Sequence, residues 1–303
     1  MAVSLFSPAK LNLFLAVTGQ RADGFHDLVS VAAPLDFGDQ LEARSREPSF
    51  AKATEGTAGK QFSLECNDPA VPVDEGNLVL KAAGAFAAVT GWKDRVDFKL
   101  TKRIPLGAGL GGGSSNAVAA LRALNQLSGG VLIASKLAEV AATLGSDCPL
   151  FLANAPVVMR GRGERLEALP AAAAARLRGR RVLLFKPSFG ISTPWAYGRM
   201  VKRGTDYLPA GQAEQRLAGW VQGSAPGEEL LFNNMEGAAF GKFIALPVLL
   251  AKLTREFGVS ARMSGSGSAC FALLRDDLAT APLIAAIRAA WGPRCFVQEA
   301  RLA

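Results

Sequence analysis

The sequence predicts an α+β fold. Half of the 303 residues are hydrophobic and a fifth are charged, which is the balance of a chain that can bury a sizeable core. Apolar residues alternate in some segments and recur with helical spacing in others, and the two kinds of segment do not follow each other in regular order. That mixture favours layers of strands and helices over a regular βαβ fold. The sequence contains no repeat of the length found in solenoids or propellers.

The N-terminal part begins with strand signals. Residues 3–6, 11–17 and 28–35 are rich in apolar residues, so we predict three strands there. Residues 45–60 are polar, small and charged, which predicts a hairpin loop or a mobile rim. Residues 77–89 have the apolar spacing of an amphipathic helix.

A strand, a glycine-rich turn and two helices come next. Residues 96–104 alternate between apolar and polar as a half-buried strand does, and they lead directly into the turn. Good helix formers at 117–127 and 134–144 predict two helices. Residues 145–149, Gly-Ser-Asp-Cys-Pro, then break the helical pattern.

The alanine- and arginine-rich segment 167–181 is the predicted boundary region. It divides the chain into an N-terminal domain, 1–165, and a C-terminal domain, 166–303. The same patterns predict further elements in the second domain: strands at 182–185 and 269–274, and helices at 246–257 and 283–291.

The segment 105–116 carries the strongest functional signal. It reads Pro-Leu-Gly-Ala-Gly-Leu-Gly-Gly-Gly-Ser-Ser-Asn, between a predicted strand and a predicted helix. Glycine permits positive φ, so several backbone N–H groups can point into one concavity. The helix start adds unpaired N–H donors and the positive end of the helix dipole. We therefore predict a phosphate-binding loop, in which Ser114 and Ser115 offer hydroxyls to phosphate oxygens or a metal ion.

Two common phosphate-binding patterns do not describe this segment. A Walker A loop has a lysine before its Ser or Thr, and no lysine precedes Ser114. Residues 107–112 fit Gly-x-Gly-x-x-Gly literally, but no acidic residue follows at the distance that dinucleotide binding requires.

Two further clusters stand near the ends of the chain. In Ser-Pro-Ala-Lys-Leu-Asn-Leu, residues 7–13, a strand would place Lys10 and Asn12 on one face. Lys10 could there stabilise negative charge in a transition state, or be an ordinary edge lysine. Residues 262–271, Arg-Met-Ser-Gly-Ser-Gly-Ser-Ala-Cys-Phe, place small residues beside an apolar strand. Such a segment lets the backbone approach a ligand closely, or forms a plain turn.

These three clusters, in this order, resemble the galactokinase, homoserine kinase, mevalonate kinase and phosphomevalonate kinase (GHMP) superfamily over essentially the whole chain. Within it, four stretches resemble the 4-diphosphocytidyl-2-C-methyl-D-erythritol kinases: residues 7–15, 19–26 (Gly-Gln-Arg-Ala-Asp-Gly-Phe-His), 102–107 and 144–149. The resemblance implies a GHMP-kinase fold of two α+β domains, the first binding ATP, with the active site in the cleft between them.

The resemblance also implies a catalytic pair, Lys10 and Asp147. The Asp147 carboxylate could accept the proton of a substrate hydroxyl, and Lys10 could lower the pKa of that hydroxyl and orient the carboxylate. Asp147 stands between a helix and a proline, so capping a turn is the alternative role for it.

Binding residues follow from the same resemblance. The ATP-binding set is Pro105, Leu106, Gly107, Ala108, Gly109, Leu110, Gly111, Gly112, Gly113, Ser114, Ser115, Asn77, Leu78 and Lys102. The substrate-binding set is Asn12, Phe25, His26, Thr193 and Tyr197. In the family, the residue at His26 hydrogen-bonds cytosine. Phe25 stands where the family commonly has tyrosine, and Tyr197 matches the ring on the opposite face of the base.

The implied reaction transfers the γ-phosphoryl group of ATP to the 2-hydroxyl of 4-diphosphocytidyl-2-C-methyl-D-erythritol, in non-mevalonate isoprenoid biosynthesis. Mg²⁺ is expected because phosphoryl transfer needs charge neutralised between the phosphates, and Ser115 is the candidate ligand. The alternatives are a GHMP kinase that acts on homoserine or mevalonate, and a nucleotide-binding protein without activity.

Composition limits the other classes of partner. The net charge is +8, but the basic residues are scattered, so we expect steering of an anionic ligand and no nucleic-acid binding. We expect no membrane segment and no secretory signal, and therefore a cytoplasmic location. We also expect a monomer or a weak homodimer. The four cysteines, without Cys-x-x-Cys spacing, are predicted to be buried thiols: Cys66, Cys148, Cys270 and Cys295.

Overall fold

The computed structural model describes residues 1–46 and 60–303 and confirms the α+β prediction. The chain forms two compact units. The first comprises Met1–Ala9, Gly38–Ile104 and Gly111–Leu152, and the second comprises Lys10–Phe37, Pro105–Leu110 and Ala153–Ala303. Each unit is therefore built from separate chain segments, whereas the predicted boundary divides the chain once, near residue 165.

The strands and helices alternate irregularly along the chain. The strands are β1 (Ala2–Gln20), β2 (His26–Arg46), β3 (Phe62–Cys66), β4 (Arg95–Thr101), β5 (Val157–Gly161), β6 (Arg165–Ala168), β7 (Arg181–Lys186), β8 (Phe232–Asn233), β9 (Ser260–Met263), β10 (Cys270–Leu273) and β11 (Phe296–Arg301). The helices are α1 (Leu78–Thr90), α2 (Gly112–Leu127), α3 (Ala134–Leu144), α4 (Leu150–Ala153), α5 (Ala171–Ala175), α6 (Thr193–Arg203), α7 (Ala210–Gln222), α8 (Gly227–Leu230), α9 (Met235–Phe240), α10 (Ala245–Phe257) and α11 (Ala281–Trp291).

In the first unit, helices cover a small mixed sheet. β4 lies between β3, which it pairs in parallel, and the C-terminal part of β2, which it pairs antiparallel. Asn77 caps the N-terminus of helix α1, with its side chain accepting a hydrogen bond from the Val79 N–H, and Gly91, with φ of 69°, caps the C-terminus. Its buried residues recur with helical spacing, which gives it one apolar face: Val79, Ala82, Ala83 and Phe86.

Helix α2 starts five residues earlier than predicted, inside the glycine-rich segment. Its first turn is Gly-Gly-Ser-Ser, a composition that the sequence analysis assigned to the turn. The residues from Ser115 to Leu121 are all buried, so this helix has no solvent-facing side over that stretch. Small alanine side chains allow such close packing on every side.

In the second unit, an antiparallel sheet has the strand order β11–β7–β10–β9. Residues 182–185 of β7 are fully buried, as expected of a strand covered on both faces. Helix α10 packs on β9, and Gly258, with φ of 65°, caps its C-terminus; its buried residues are Leu246, Leu249, Leu250 and Leu253. The N-terminal part of β2 pairs antiparallel with β5, and β8 pairs in parallel with β1 at Phe14 and Leu15.

Several sequence predictions need correction. The two strands expected at 3–6 and 11–17 form one strand, β1, because the buried polar residues between them obscure its apolar pattern. Residues 45 and 46 end β2, and the rest of the segment 45–60, up to residue 59, lies outside the described residues. Cys66 is partly exposed, whereas the other three cysteines are buried free thiols as predicted. Across the described chain, every helix falls short of the length or apolar character needed to cross a membrane.

Candidate active site

Three glycines give the predicted phosphate loop its shape. Gly107, Gly109 and Gly111 have φ of 59°, 74° and 72°, in the left-handed region that other residues rarely adopt. The residues between them, Ala108 and Leu110, are buried and anchor the loop. A Cβ atom on Gly109 would lie 2.4 Å from the Ser264 carbonyl oxygen. Glycine is required there for its conformation and also for the close approach of a second backbone.

In the second unit, backbone hydrogen bonds bring the three sequence clusters together. The Lys10 N–H donates to the Leu110 carbonyl at 3.0 Å. On the other side, the Ala269 N–H donates to the Ala108 carbonyl at 3.0 Å, and the Ser268 N–H donates to the Gly107 carbonyl at 3.3 Å. The strand that carries Lys10 and the Ser-Gly-Ser-Gly-Ser segment therefore both contact residues 105–110.

Lys10 is a buried cation, with only 4 % of its surface exposed. Its Nζ atom donates to Asn12 Oδ1 at 2.5 Å, and Asn12 Nδ2 donates in turn to Ser30 Oγ at 2.9 Å. The Lys10 Nζ atom also lies 3.5 Å from the position that a Cβ atom would occupy on Gly265. An ammonium group fixed in a site with little water interacts strongly with a nearby anion. These contacts argue against an ordinary edge lysine.

In the first unit, the buried carboxylate of Asp39 joins the end of β4 to the start of α2. It forms an ion pair with Lys102 Nζ and accepts hydrogen bonds from the Arg103 and Ile104 N–H groups. Asn116 Nδ2 donates to the same carboxylate at 2.9 Å. The ammonium of Lys102 is thus held at the first turn of α2, where a Cβ atom on Gly112 would lie 3.1 Å from it.

Ser114 and Ser115, the two serines of this first turn, have different surroundings. The Ser7 hydroxyl donates to Ser115 Oγ at 2.8 Å, and Ser115 is 1 % exposed. Ser114 lies against the thiol of Cys148, in the turn that follows α3. Because the Ser115 hydroxyl is buried and already hydrogen-bonded, its surroundings do not fit a magnesium ligand. No cluster of three or more His, Cys, Asp or Glu side chains suited to a metal ion occurs within residues 1–46 and 60–303.

Asp147 belongs to a tight turn next to the start of α2. The Cys148 N–H donates to the Gly145 carbonyl at 3.0 Å, which closes the turn around Asp147. Burial raises the pKa of the Cys148 thiol to about 11, and the negative charge of Asp147 adds to that rise. The contact between Cys148 and Ser114 therefore places the Asp147 carboxylate close to the N-terminal turn of α2, within the same unit.

The residues assigned to adenosine lie around the start of α1 and α2. Asn77 caps α1 and also donates from Nδ2 to the Pro72 carbonyl at 2.6 Å. The side chain of Leu78 lies 3.4 Å from the position of a Cβ atom on Gly113. Asn77 therefore has a structural role as a cap, and Leu78 together with Lys102 borders the glycine-rich turn of the helix.

His26, the single histidine of the chain, is buried in an aromatic cluster of the second unit. Its ring centre lies 4.6 Å from that of Tyr197 and 6.0 Å from that of Tyr207. A hydrogen bond of 3.1 Å joins its Nε2 atom to the Tyr207 hydroxyl. Burial lowers the pKa of His26, so the ring is neutral at physiological pH and has one donor and one acceptor nitrogen.

Phe25 precedes His26 at the tip of a turn between β1 and β2. Arg21 and Asp23 form an ion pair across the turn, and the Phe25 N–H donates to Asp23 Oδ1 at 3.1 Å. The Phe25 ring is 51 % exposed and lies 4.6 Å from the guanidinium carbon of Arg162. It is thus an accessible aromatic face beside a cation. Thr193, the remaining predicted substrate residue, forms a 2.8 Å hydrogen bond with Ser266 of the Ser-Gly-Ser-Gly-Ser segment.

Comparison with known proteins agrees with this geometry. Residues 77–159 match the model of the GHMP kinases N-terminal domain, and residues 228–293 match that of the GHMP kinases C-terminal domain. The 4-diphosphocytidyl-2-C-methyl-D-erythritol kinase of Synechococcus sp. (strain CC9902) is 39 % identical over 95 % of this chain and 94 % of its own length. The chain belongs to the 4-diphosphocytidyl-2-C-methyl-D-erythritol kinase family.

Another member and a crystal structure support the same placement in this kinase family, and a more distant structure shares the fold. The kinase of that name from Methylacidiphilum infernorum (isolate V4) is 36 % identical over 98 % of this chain and 95 % of its own length. A crystal structure of 4-(cytidine 5'-diphospho)-2C-methyl-D-erythritol kinase matches with a TM-score of 0.76 and 32 % identity, over 99 % of this chain and 100 % of that one. Homoserine kinase from Cytophaga hutchinsonii has a similar fold, with a TM-score of 0.72 at 18 % identity, over 100 % of this chain and 95 % of that one.

Three residues that organise the candidate site were not predicted from the sequence. Asp39 is one of four acidic residues in β2, and nothing in the sequence distinguishes it from the exposed Asp36 and Glu42. Tyr207 is one of two tyrosines in the chain, but its surroundings in the sequence have no motif. Asn233 hydrogen-bonds the Ser-Gly-Ser-Gly-Ser segment from a two-residue strand that is too short to predict.

Proposed function

We propose that this protein transfers the γ-phosphoryl group of ATP to the 2-hydroxyl of 4-diphosphocytidyl-2-C-methyl-D-erythritol, giving the 2-phosphate and ADP in isoprenoid precursor biosynthesis. Family membership supports the substrate and the phosphoryl donor. The structural observation that carries the proposal is the set of backbone hydrogen bonds that joins Lys10, residues 105–110 and residues 264–269. It puts a buried cation next to a glycine-rich loop, as phosphoryl transfer requires.

Asp147 and Lys10 are the proposed catalytic residues. Asp147 accepts the proton of the substrate 2-hydroxyl as that oxygen attacks the γ-phosphorus, and the bond to the bridging β–γ oxygen breaks to release ADP. Lys10 stabilises the negative charge that develops on the attacking oxygen and on the transferred phosphoryl group. Its hydrogen bond to Asn12 Oδ1 fixes the ammonium direction before substrate arrives.

The glycine-rich segment is the proposed phosphate site. N–H groups of the loop and of the first turn of α2 donate to the phosphate oxygens, and the helix dipole favours their charge. The adenosine would lie near Leu78 and Lys102, which border that turn. Mg²⁺ is expected to enter with the nucleotide, because the described residues supply no carboxylate cluster for it.

His26 is the proposed anchor of the cytidine end. A neutral imidazole can donate to or accept from the edge of cytosine, and the exposed ring of Phe25 and the ring of Tyr197 can stack on the base. Phenylalanine keeps the π-face that tyrosine would present at position 25 and lacks only the hydroxyl. The Tyr207 hydroxyl holds the His26 ring in one orientation.

The deciding experiment measures ADP release with ATP and Mg²⁺, using 4-diphosphocytidyl-2-C-methyl-D-erythritol, homoserine or mevalonate as the acceptor. We expect turnover with the cytidine compound alone. Turnover with another acceptor would retain the phosphate site and reject the proposed cytidine pocket. No turnover with any acceptor would favour a nucleotide-binding protein without activity.

Four further properties stay predictions. They are the division into domains 1–165 and 166–303, a cytoplasmic location, a monomeric or weakly dimeric state, and the lack of nucleic-acid binding.

A further inference from the structure

Asn233 is a buried polar residue to which the mechanism above gives no role. It ends β8 and is 4 % exposed. Its side-chain amide makes three hydrogen bonds. Oδ1 accepts from the Met235 N–H at 2.9 Å, and Nδ2 donates at 2.8 Å to both the Met263 and the Gly265 carbonyl oxygens. An amide that bridges two carbonyls two residues apart fixes the backbone between them.

The backbone that Asn233 holds is the part of the Ser-Gly-Ser-Gly-Ser segment nearest to Lys10. Gly265 has φ of 58°, and a Cβ atom on it would lie 3.2 Å from Asn12 Oδ1 and 3.5 Å from Lys10 Nζ. Asn12 and Ser264 are also in contact, because the Asn12 N–H donates to Ser264 Oγ at 3.4 Å. A shift of residues 264–265 would therefore change the space around the Lys10 ammonium.

A second anchor keeps the strand itself in place. Glu236 Oε1 accepts from the Met263 N–H at 2.8 Å, and β9 also pairs with β10 along its length. The loop after Met263 lies outside that pairing, and the Gly265 carbonyl in it accepts its hydrogen bond from Asn233 Nδ2. Loss of the Asn233 amide should loosen the loop while the sheet remains folded.

We propose that Asn233 is a positioning residue for phosphoryl transfer, which holds the Ser264–Gly265 backbone against Lys10 and Asn12 and so keeps the ammonium aimed at the reacting phosphate. The inference rests on the proposed function, since it assigns Lys10 to that reaction. In this role Asn233 affects the rate of the chemical step, and other residues bind the cytidine end of the substrate.

Asn234 provides a matched control in the next position. Its amide is also fully engaged, but its partners are elsewhere: Oδ1 accepts from the Val17 N–H, and Nδ2 donates to the Val17 and Asp206 carbonyls. Replacing either asparagine removes the same chemical group from the same short segment. A loss that is only structural should affect both variants alike.

The experiment compares Asn233→Ala, Asn233→Asp and Asn234→Ala by steady-state kinetics with the cytidine substrate and by hydrogen exchange. For Asn233→Ala, we expect kcat to fall about 10- to 100-fold, because misplacement of a catalytic group by about 1 Å has effects of that size. The KM for the cytidine substrate should change by less than about 3-fold. Asn233→Asp should be no better, since its carboxylate keeps the Met235 bond but cannot donate to the two carbonyls.

Hydrogen exchange supplies a readout that does not depend on activity. The Gly267 N–H donates to the Ser264 carbonyl inside the held loop, so its exchange should accelerate in Asn233→Ala and stay unchanged in Asn234→Ala. Normal kcat in Asn233→Ala, or equal loss of kcat in both alanine variants, would overturn the inference. Failure of the unmodified protein to phosphorylate the cytidine compound would instead reject the proposed function. The positioning role would then be decided by hydrogen exchange, and unchanged exchange at Gly267 would reject it.

Discussion

Asp147 is the residue on which the proposed chemistry depends most. Asp147→Asn keeps the shape of the side chain but removes the group that accepts the hydroxyl proton. We expect kcat to fall about 10²- to 10⁴-fold, the usual contribution of a general base. ATP affinity, measured by calorimetry, should stay close to normal. Turnover near the level of the unmodified protein would show that Asp147 only closes its turn.

His26 is expected to contribute to binding of the cytidine substrate and not to binding of ATP. In His26→Ala, the KM for the cytidine compound should rise, because the ring that contacts the base edge is lost, while the KM for ATP stays nearly constant. The Tyr197 and Tyr207 contacts make a structural role the competing interpretation. An equal rise in both KM values would support that competing role.

The same histidine should make stability depend on pH in a defined direction. Burial lowers the pKa of His26 in the folded chain, whereas the unfolded chain titrates near the ordinary value of about 6.5. The unfolded state therefore takes up the proton first as the pH falls, and the folded state loses stability below about pH 6.5. The difference in Tm between the unmodified protein and His26→Ala should therefore become smaller as the pH is lowered from 7.5 to 5.5. A gap that widens over this range would contradict the assignment.

At the scale of elements, the glycine-rich loop can be tested with two glycines of similar conformation. Gly109 and Gly129 have φ of 74° and 78°, but only Gly109 faces another backbone, the Ser264 carbonyl 2.4 Å from its Cβ position. Gly129 has nothing within 4 Å. Gly129→Ala should cost about 1–2 kcal/mol, the strain of a left-handed alanine. Gly109→Ala should cost more and should also weaken ATP binding, as measured by thermal unfolding and calorimetry.

Equal effects of the two substitutions would mean that the close approach at Gly109 has no energetic consequence. The comparison separates backbone strain, which both variants share, from displacement of the Ser-Gly-Ser-Gly-Ser segment, which only Gly109→Ala would cause.

Elements with a strong local pattern could be predicted from the sequence, and elements defined by distant partners could not. α3 has the predicted bounds, and α10 differs from its prediction by one residue, because each has apolar side chains at helical spacing. The start of α2 was misplaced because glycine and serine are poor helix formers. The short strand β8 exists through its pairing with β1 and leaves no pattern in two residues.

At the scale of the whole molecule, the net charge of +8 should steer the anionic substrates. Because the basic residues are scattered, this steering would raise the rate at which substrate and enzyme associate and would leave the geometry of the bound complex unchanged. We expect kcat/KM for both substrates to fall as the ionic strength rises, with kcat nearly constant. Measurements in NaCl at fixed free Mg²⁺ would check this. A kcat/KM that is independent of salt would argue against steering.

The candidate site was predictable where sequence neighbours act together and unpredictable where distant residues meet. The three glycine and lysine clusters could be identified because each is a continuous stretch with a recognisable composition. Asp39 could not, since its role comes from the Lys102 ion pair and from Asn116, far along the chain. Asn233 is similar, because an isolated asparagine has no signature until the fold places two carbonyls beside it.

The glycine at the start of α2 links nucleotide binding to folding. Gly111 occupies the cap position, and its lack of a side chain leaves the first turn without a capping hydroxyl or carboxamide, which costs the helix about a few tenths of a kcal/mol. In the proposed complex, phosphate oxygens of the nucleotide accept hydrogen bonds from the unpaired N–H groups at the start of α2, as a capping side chain would. The ATP-bound enzyme is therefore the more stable form, and its free energy of unfolding rises with the logarithm of the ATP concentration once that concentration exceeds the Kd.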